Sequence, residues 1–519
     1  MFSTTERKPA AIAAVLLVAL GVRVWGLGFG LPFANARPDE TAVAGPAAGM
    51  LTGDFRPPNF NKPTLFVYAV SAAYAAYFVV TSPFSGVATV RDFVESRRSS
   101  IAPFLYISRA LSALFGVLTA WWLYGLARRV TGNETVALVA AGFQTVAFLP
   151  ARDSHFGVTD VPMAALVVLA VREIVAWRVS GGWRRAAIAG AIGGLAMSVK
   201  YNGLGVVVPF AVAGVLTWRE SLLSQPAARP PLVDASLFAL ALAATFVGGS
   251  PFVLIEWPRF LHDITAQEAT LNVGHGVALA RGWWQHAAVT LPASLGWPLF
   301  VAGLIGAIAF LLAEFRKAAV VLAFPIAYYV VAGYGHTVFA RYMLPVMPFL
   351  CLAAAWAVVS AARVFGERRA QPVALAAAVL IAAPSGARII QTDYLLGQTD
   401  NRVIVAGAVA GLVHPGESLY QSGASYGHVQ LPHTIEHIVD RYEDLPDWIL
   451  VQRSPLTLYS AVPDGLRDTI SARYRLVESF PVADDQPRLY DQQDAFFLPL
   501  NNLGGVTRPG PAFELYRKR

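Results

Sequence analysis

Directly behind the first long apolar run, residues 10–31, the chain places Arg37-Pro38-Asp39-Glu40, two adjacent carboxylates with a cation beside them. Carboxylates at a membrane boundary are costly to keep and point to function. One of the pair can take the proton of an attacking hydroxyl. The same two residues also suit the first turn of a short helix, where acidic groups offset the exposed N–H dipoles.

Similar groups recur at later boundaries. Of 40 basic residues only five are lysine, and two of these, Lys62 and Lys200, stand away from the arginine pairs. A lysine ammonium is a compact charge suited to a phosphate oxygen, or it simply reaches the interface on its flexible stem. Asp160 lies between Thr159 and Val161-Pro162. That is a helix-start pattern and, with His155 five residues earlier, a second acid for the same chemistry. Arg341-Tyr342 opens a run irregularised by Pro345 and Pro348, behind a polar break that holds His336. An arginine there can reach an anionic headgroup or serve as an interfacial anchor beside the tyrosine.

Two familiar alternatives fail. His433-Thr-Ile-Glu436-His437 has the H-x-x-E-H spacing of some zinc peptidases, but a catalytic zinc needs a third ligand, and a surface helix accounts for the spacing. No Walker loop and no G-x-G-x-x-G behind a strand occurs, which disfavours a nucleotide site.

The scaffold for these groups follows from composition. The 519 residues are 55% hydrophobic and 14% charged, with mean hydropathy +0.51. Soluble domains run near a quarter charged, so most of this chain is solvated by lipid. The first apolar run is too long for a signal-peptide core and lacks a cleavage site. The net charge of +7 resides in arginines at run ends, a topology signal and not a nucleic-acid-binding stripe. The single Cys351 excludes an internal disulfide.

Apolar runs near 10–31, 103–127, 134–150, 159–177, 186–200, 203–218, 233–255, 288–313, 318–335, 342–362 and 373–391 predict an α-helical polytopic membrane protein with about eleven transmembrane helices. The clusters Arg7/Lys8, Arg128/Arg129, Arg178/Arg184/Arg185, Arg219, Arg316/Lys317 and Arg363/Arg368/Arg369 then fall on one side, the cytoplasm, together with the N-terminus. Residues 63–82 are apolar enough to span, but counting them reverses every later loop. They are therefore expected as a juxtamembrane or re-entrant helix inside an outer loop, 32–102. A second outer loop, 256–287, carries Asp263, Glu268, His275 and three tryptophans, and its length suggests a lid or substrate loop.

The transmembrane module is thus 1–391. Beyond it, helix 401–413 and the runs 448–452, 474–480 and 512–516 predict a small extracytoplasmic α/β domain, 392–519. The candidate acids and isolated cations all lie on the outer face of what is expected to be a multi-pass protein of the cell (inner) membrane.

These residues carry a family resemblance. R-P-D-E at 37–40, N-K-P-T-L at 61–65, S-R-A-L-S-A-L at 108–114, R-D-S-H-F-G-V-T-D-V-P at 152–162, S-V-K-Y-N-G at 198–203 and R-Y-M-L-P-V-M-P at 341–348 follow one another in the family's order. T-D-N-R at 399–402 and R-P-G-P-A-F-E-L-Y at 508–516 extend the series. The chain resembles the polytopic GT-C glycosyltransferases of the protein-mannosyltransferase-like group, which includes the bacterial aminoarabinose transferases. The resemblance implies inverting transfer from a polyprenyl-phosphate sugar at the outer face to a lipid, glycan or protein acceptor. It aligns Asp39 and Asp160 with the acids of the first and second outer loops, and Lys62 with a residue that holds the lipid phosphate. Thr64 departs from the family's K-P-P-L, and Asn61 stands where other residues are common.

The residues support that chemistry on their own terms. Asp39 or Glu40 supplies a base, with Asp160 as a second acid. Lys62, Arg341 and Lys200 face a phosphate leaving group. Arg37, His155, His336 and Tyr342 complete the candidate substrate contacts. No cofactor is required; a divalent cation bridging carboxylate and phosphate is compatible with the pattern. The competing reading is a transporter or flippase of an anionic lipid or solute, which would place polar groups at mid-membrane in paired repeats. The polar groups here gather at one face.

Overall fold

In the computed structural model the described residues are 7–96, 100–224, 232–431 and 437–519. His433 and Glu436 of the H-x-x-E-H pattern lie outside them.

The first half of the bundle comprises α1 Arg7–Val24, α2 Pro38–Met50, α3 Leu65–Ser85, α4 Val90–Ser96, α5 Ala102–Thr131, α6 Glu134–Val146, α7 Phe148–Asp153, α8 Asp160–Ser180 and α9 Trp183–Val199. The second half comprises α10 Val207–Ser224, α11 Leu232–Gly249, α12 Phe252–Ile255, α13 Trp257–Val273, α14 Gly282–Gln285, α15 Leu291–Leu295, α16 Trp297–Ala313, α17 Phe315–Ala332, α18 Met347–Ala362 and α19 Glu367–Leu396. The C-terminal part adds α20 Asn401–Leu412, β1 Ser418–Gln421, β2 His437–Ile438, β3 Trp448–Arg453, α21 Leu466–Arg473, β4 Tyr474–Phe480 and β5 Ala512–Lys518.

Among the described residues seven helices are long and apolar enough to cross a membrane, or eight if α14–α15 and α16 count as one broken span. Two expectations change. The run 10–31 is helical only to Val24, because Trp25-Gly26-Leu27-Gly28 unwinds it into turns, with Gly26 at φ +86°. The span expected at 288–313 breaks at Gly296 with a bend of 117°. From Leu65 on, the run 63–82 lies in one continuous helix.

That last helix, α3, is long enough to cross, and it packs on α2, on α9 and on the first turn of α5. Tyr74 donates its hydroxyl to Phe104 O at 2.7 Å. Phe78 stacks near Phe93, which itself packs on Phe104.

The two ends of the bundle differ in chemistry. α5 and α8 both begin at the end that holds the acids. Along α5, Arg128 lies about 30 Å from Arg109 at 1.5 Å per residue. At this far end Glu173 gathers Arg129, Arg172 and Arg185, while Glu220 gathers Arg178 and Arg316. Small residues set the approach of α9 to α11. A Cβ on Gly190 would collide with Phe238 O, and one on Gly194 with Thr245 Oγ1 and Leu242 O. That close packing fixes the end of α9, where Lys200 sits.

The C-terminal sheet has the order β2-β1-β3-β5-β4. β1 pairs in parallel with β2 and β3, whereas β5 runs antiparallel to β3 and β4. The apolar runs expected as strands are β3, β4 and β5. The domain is not a separate body. Phe496, Leu498 and Leu503 share one apolar core with Phe29, Phe33, Phe156 and Val158 of the bundle.

Candidate active site

Pro38 at the start of α2 fixes the turn that leaves Asp39 in the first helical turn, one residue past the N-terminus. Its carboxylate meets Lys62 Nζ at 3.4 Å and Arg341 Nη2 at 2.8 Å. A third of the Asp39 side chain stays exposed to a cavity of about 460 Å³. Arg341 above all, then Lys62 and Arg37, hold the Asp39 carboxyl well below the ordinary carboxylate range, against the opposing effect of burial. Asp160, at the first residue of α8, faces the same cavity and accepts from Lys200 Nζ at 2.6 Å. Lys200 also lies 5.0 Å from the centre of the Tyr342 ring.

Each cation is held from behind. The strand of backbone before Lys62 is tied down by Phe60, whose N–H donates to Asp263 at 2.9 Å and whose carbonyl accepts from Tyr201 at 3.0 Å. Asp263 belongs to α13, so the expected loop 256–287 is largely helix and braces the site. Thr64 explains its own departure from a proline. Its N–H donates to Ser250 Oγ at 3.1 Å and its hydroxyl donates to Gly249 O at 2.9 Å. A proline at this position could make neither bond.

Glu40, read beside Asp39 as a candidate base, is turned away from the cavity and fully buried. It takes Arg109 Nε at 2.8 Å and Nη2 at 2.7 Å, and Gly157 N at 2.8 Å. Three charge-assisted bonds make it a strut between α2, α5 and the turn before α8. His155 is likewise buried away from the cavity; its Nε2 lies 2.9 Å from Trp25 O, and burial pushes the imidazole down to about 4. Arg37 is buried, packed over Phe156 and Phe496, and pairs with Asp494. His336 sits behind the wall, its Nδ1 3.2 Å from Leu279 O. The structure therefore gathers Asp39, Lys62, Asp160, Lys200, Arg341 and Tyr342 at one cavity and leaves Glu40, Arg37, His155 and His336 as its supports.

The C-terminal domain completes the wall. Asp494 Oδ2 lies 3.2 Å from Arg341 Nη1. Gln493 donates to His336 O at 2.9 Å and accepts from Val338 N at 2.7 Å, while Asp491 accepts from Ala340 N at 2.7 Å. Tyr426 and Tyr459 also line the cavity. They come from the loops after β1 and β3, at the carboxyl ends of two parallel strands where the strand order turns, a common place for ligands. Sequence reasoning missed these residues; the signal was the acid pair Asp491 and Asp494 set directly before the apolar stretch Ala495–Leu498. Among the described residues no group of three or more His, Cys, Asp or Glu is placed to hold a metal ion.

Comparison with known proteins places the fold. Residues 107–248 match the family model of dolichyl-phosphate-mannose-protein mannosyltransferases. ArnT from Cupriavidus metallidurans in the apo state superposes with a TM-score of 0.56 at 15% identity, over 99% of this chain and 98% of that one. The same enzyme bound to undecaprenyl phosphate gives 0.57 at 15% identity, over 85% and 87%. The chain has the GT-C glycosyltransferase fold. A second GT-C structure, the oligosaccharyltransferase AglB from Archaeoglobus fulgidus with an inhibitory peptide and a dolichol-phosphate, gives a TM-score of 0.51 at 14% identity, over 83% of this chain and 65% of that one. No curated protein matches the chain by sequence. On this fold the chain is a multi-span membrane protein.

Proposed function

We propose that the chain is an inverting glycosyltransferase that moves a sugar from a polyprenyl-phosphate donor to an acceptor hydroxyl at the outer face of the membrane. The observation that carries the reading is the pair of carboxylate–cation sets in one cavity, Asp39 with Lys62 and Arg341, and Asp160 with Lys200. The ArnT and AglB structures with bound polyprenyl or dolichol phosphate support a lipid-phosphate donor.

In this reading the donor phosphate binds Lys62 and Arg341, with Lys200 nearby. Those two cations depress the basicity of Asp39 in the empty site. Once the phosphate draws their charge, Asp39 regains proton affinity when a base is needed. Asp39 takes the acceptor hydroxyl proton as the acceptor oxygen bonds to the anomeric carbon. The bond from that carbon to the phosphate oxygen breaks, and the lipid phosphate leaves with the electron pair. The lysine and arginine charges stabilise that leaving phosphate, the kind of electrostatic contribution that is commonly the largest. Tyr426 and Tyr459 are the natural platform for the acceptor, because they lie across the cavity on the C-terminal domain.

The test is transfer from a panel of radiolabelled polyprenyl-phosphate sugars in membranes holding the unmodified chain or Asp39→Asn. Turnover of one donor that vanishes in Asp39→Asn supports the proposal and names the sugar. No turnover from any donor, combined with movement of labelled lipid across the bilayer, would overturn it in favour of a transporter.

A further inference from the structure

A second cavity, about 550 Å³, opens between α5 and α8 at the far end of the bundle from the active site. Its wall is made by Arg128, Arg129 and Arg172 with Trp121, Trp122 and Tyr124. We infer that this cavity binds the phosphate of an anionic phospholipid headgroup in the leaflet opposite the active site.

Three observations carry the assignment. The charges do not balance: Glu173 alone is shared by Arg129, Arg172 and Arg185, at 3.3 to 3.7 Å. Arg128 shares Glu134 with the Tyr124 hydroxyl. The wall thus keeps an excess of positive charge at the helix ends, three arginines against the two carboxylates of Glu134 and Glu173. Second, Arg172 Nε is buried and finds no hydrogen-bond partner, leaving one donor of its fork unused. Third, the cavity depends on Gly125, because a Cβ there would come within 2.9 Å of Arg172 Nε and force the guanidinium aside.

The aromatic groups fit the same ligand. Trp121 is half exposed, and an indole at this level suits the headgroup boundary while the acyl chains lie along the bundle. A basic pocket between membrane helices is a recurrent receptor for anionic lipid headgroups. Arginine clusters near helix ends also arise as topology signals, but such a signal needs no cavity and no aromatic wall.

The test is native mass spectrometry of the full chain in detergent, titrated with phosphatidylglycerol, with phosphatidylcholine of the same acyl chains, or with inorganic phosphate. The unmodified chain is expected to retain phosphatidylglycerol preferentially. Arg128→Gln and Arg172→Gln should each cut that preference about fivefold, the share of one basic residue near an anionic surface. Arg128 is exposed, so its variant keeps the test alive should Arg172→Gln fold poorly. Equal retention of the two lipids, or a preference unchanged in both variants, would overturn the inference. Displacement of phosphatidylglycerol by millimolar inorganic phosphate would overturn the lipid source and leave a site for a free anion.

Discussion

Asp39 and Asp494, from opposite ends of the chain, share one guanidinium: Arg341 reaches Asp39 Oδ2 with Nη2 at 2.8 Å and Asp494 Oδ2 with Nη1 at 3.2 Å. Asp494 also pairs with the buried Arg37. The C-terminal domain therefore sets the position of a cation in the candidate site. Asp494→Asn is expected to lower transfer at least tenfold, since losing one electrostatic contact to a developing anion costs about 10²–10³-fold and a displaced cation loses part of that. Removing one member of a buried pair costs about 3–5 kcal/mol, so its melting temperature in detergent should fall as well. Unchanged kinetics and melting would show that Arg341 is held without it.

In the proposed mechanism Asp39→Asn separates catalysis from donor binding. Loss of a general base costs about 10²–10⁴-fold in rate. The substitution also frees Lys62 and Arg341 from their internal carboxylate, so a polyprenyl phosphate should bind at least as well as to the unmodified chain. Direct binding of labelled lipid phosphate checks this; weaker binding would place Asp39 in contact with the donor itself.

Glu40→Gln should act on folding and not on chemistry. Glu40 is fully buried in its bonds with Arg109 and Gly157 N, and uncompensating that arginine costs about 3–5 kcal/mol. Yield and thermal stability should drop, while turnover per folded molecule stays within a few-fold of normal. A folded but inactive Glu40→Gln protein would return Glu40 to the catalytic machinery.

The contact between domain and bundle should depend on pH. Burial, then the neighbouring Asp494, push the Asp491 carboxyl up to about 6, against about 3.9 in an unfolded chain. Between these values the folded state binds more protons than the unfolded one, so stability falls as pH rises through the window from about 4 to 6. The effect is on the order of 3 kcal/mol. Thermal unfolding at pH 5 and 7.5 should show the difference between the unmodified chain and Asp491→Asn, which lacks this titration and should be relatively more stable at pH 7.5. Parallel pH curves for the two proteins would exclude Asp491 as the source. Asp39 titrates with the opposite sign: its carboxyl is held low, so its contribution is present above the ordinary carboxylate range and is lost progressively as pH falls below it.

Much of the fold was legible locally. β4 occupies 474–480, the run expected for it, and α20 begins at Asn401 as expected. Alternating apolar residues and the Asp400 cap, which accepts from Arg402 N, are short-range signals. Where a helix breaks was less legible, because a glycine or proline inside an apolar run either kinks or is tolerated depending on its neighbours. Gly296 bends the chain by 117°, whereas Pro325 lies inside the continuous helix α17.

By itself the sequence determined that this chain is a lipid-solvated helical bundle with a small α/β appendage, and that its carboxylates and isolated cations collect at one end. Hydropathy and loop charge decide such matters residue by residue. Only the tertiary structure separated Asp39 from Glu40, neighbours of one residue type class and one location. Successive residues of a helix point about 100° apart, so one carboxylate faces Lys62 and Arg341 across the cavity and the other is locked onto Arg109. Likewise only the packing of Phe496 against Phe29 and Phe156 brings Asp494 to Arg341 across 153 residues of chain. No local pattern encodes a meeting of that range, because it depends on how two cores close on each other.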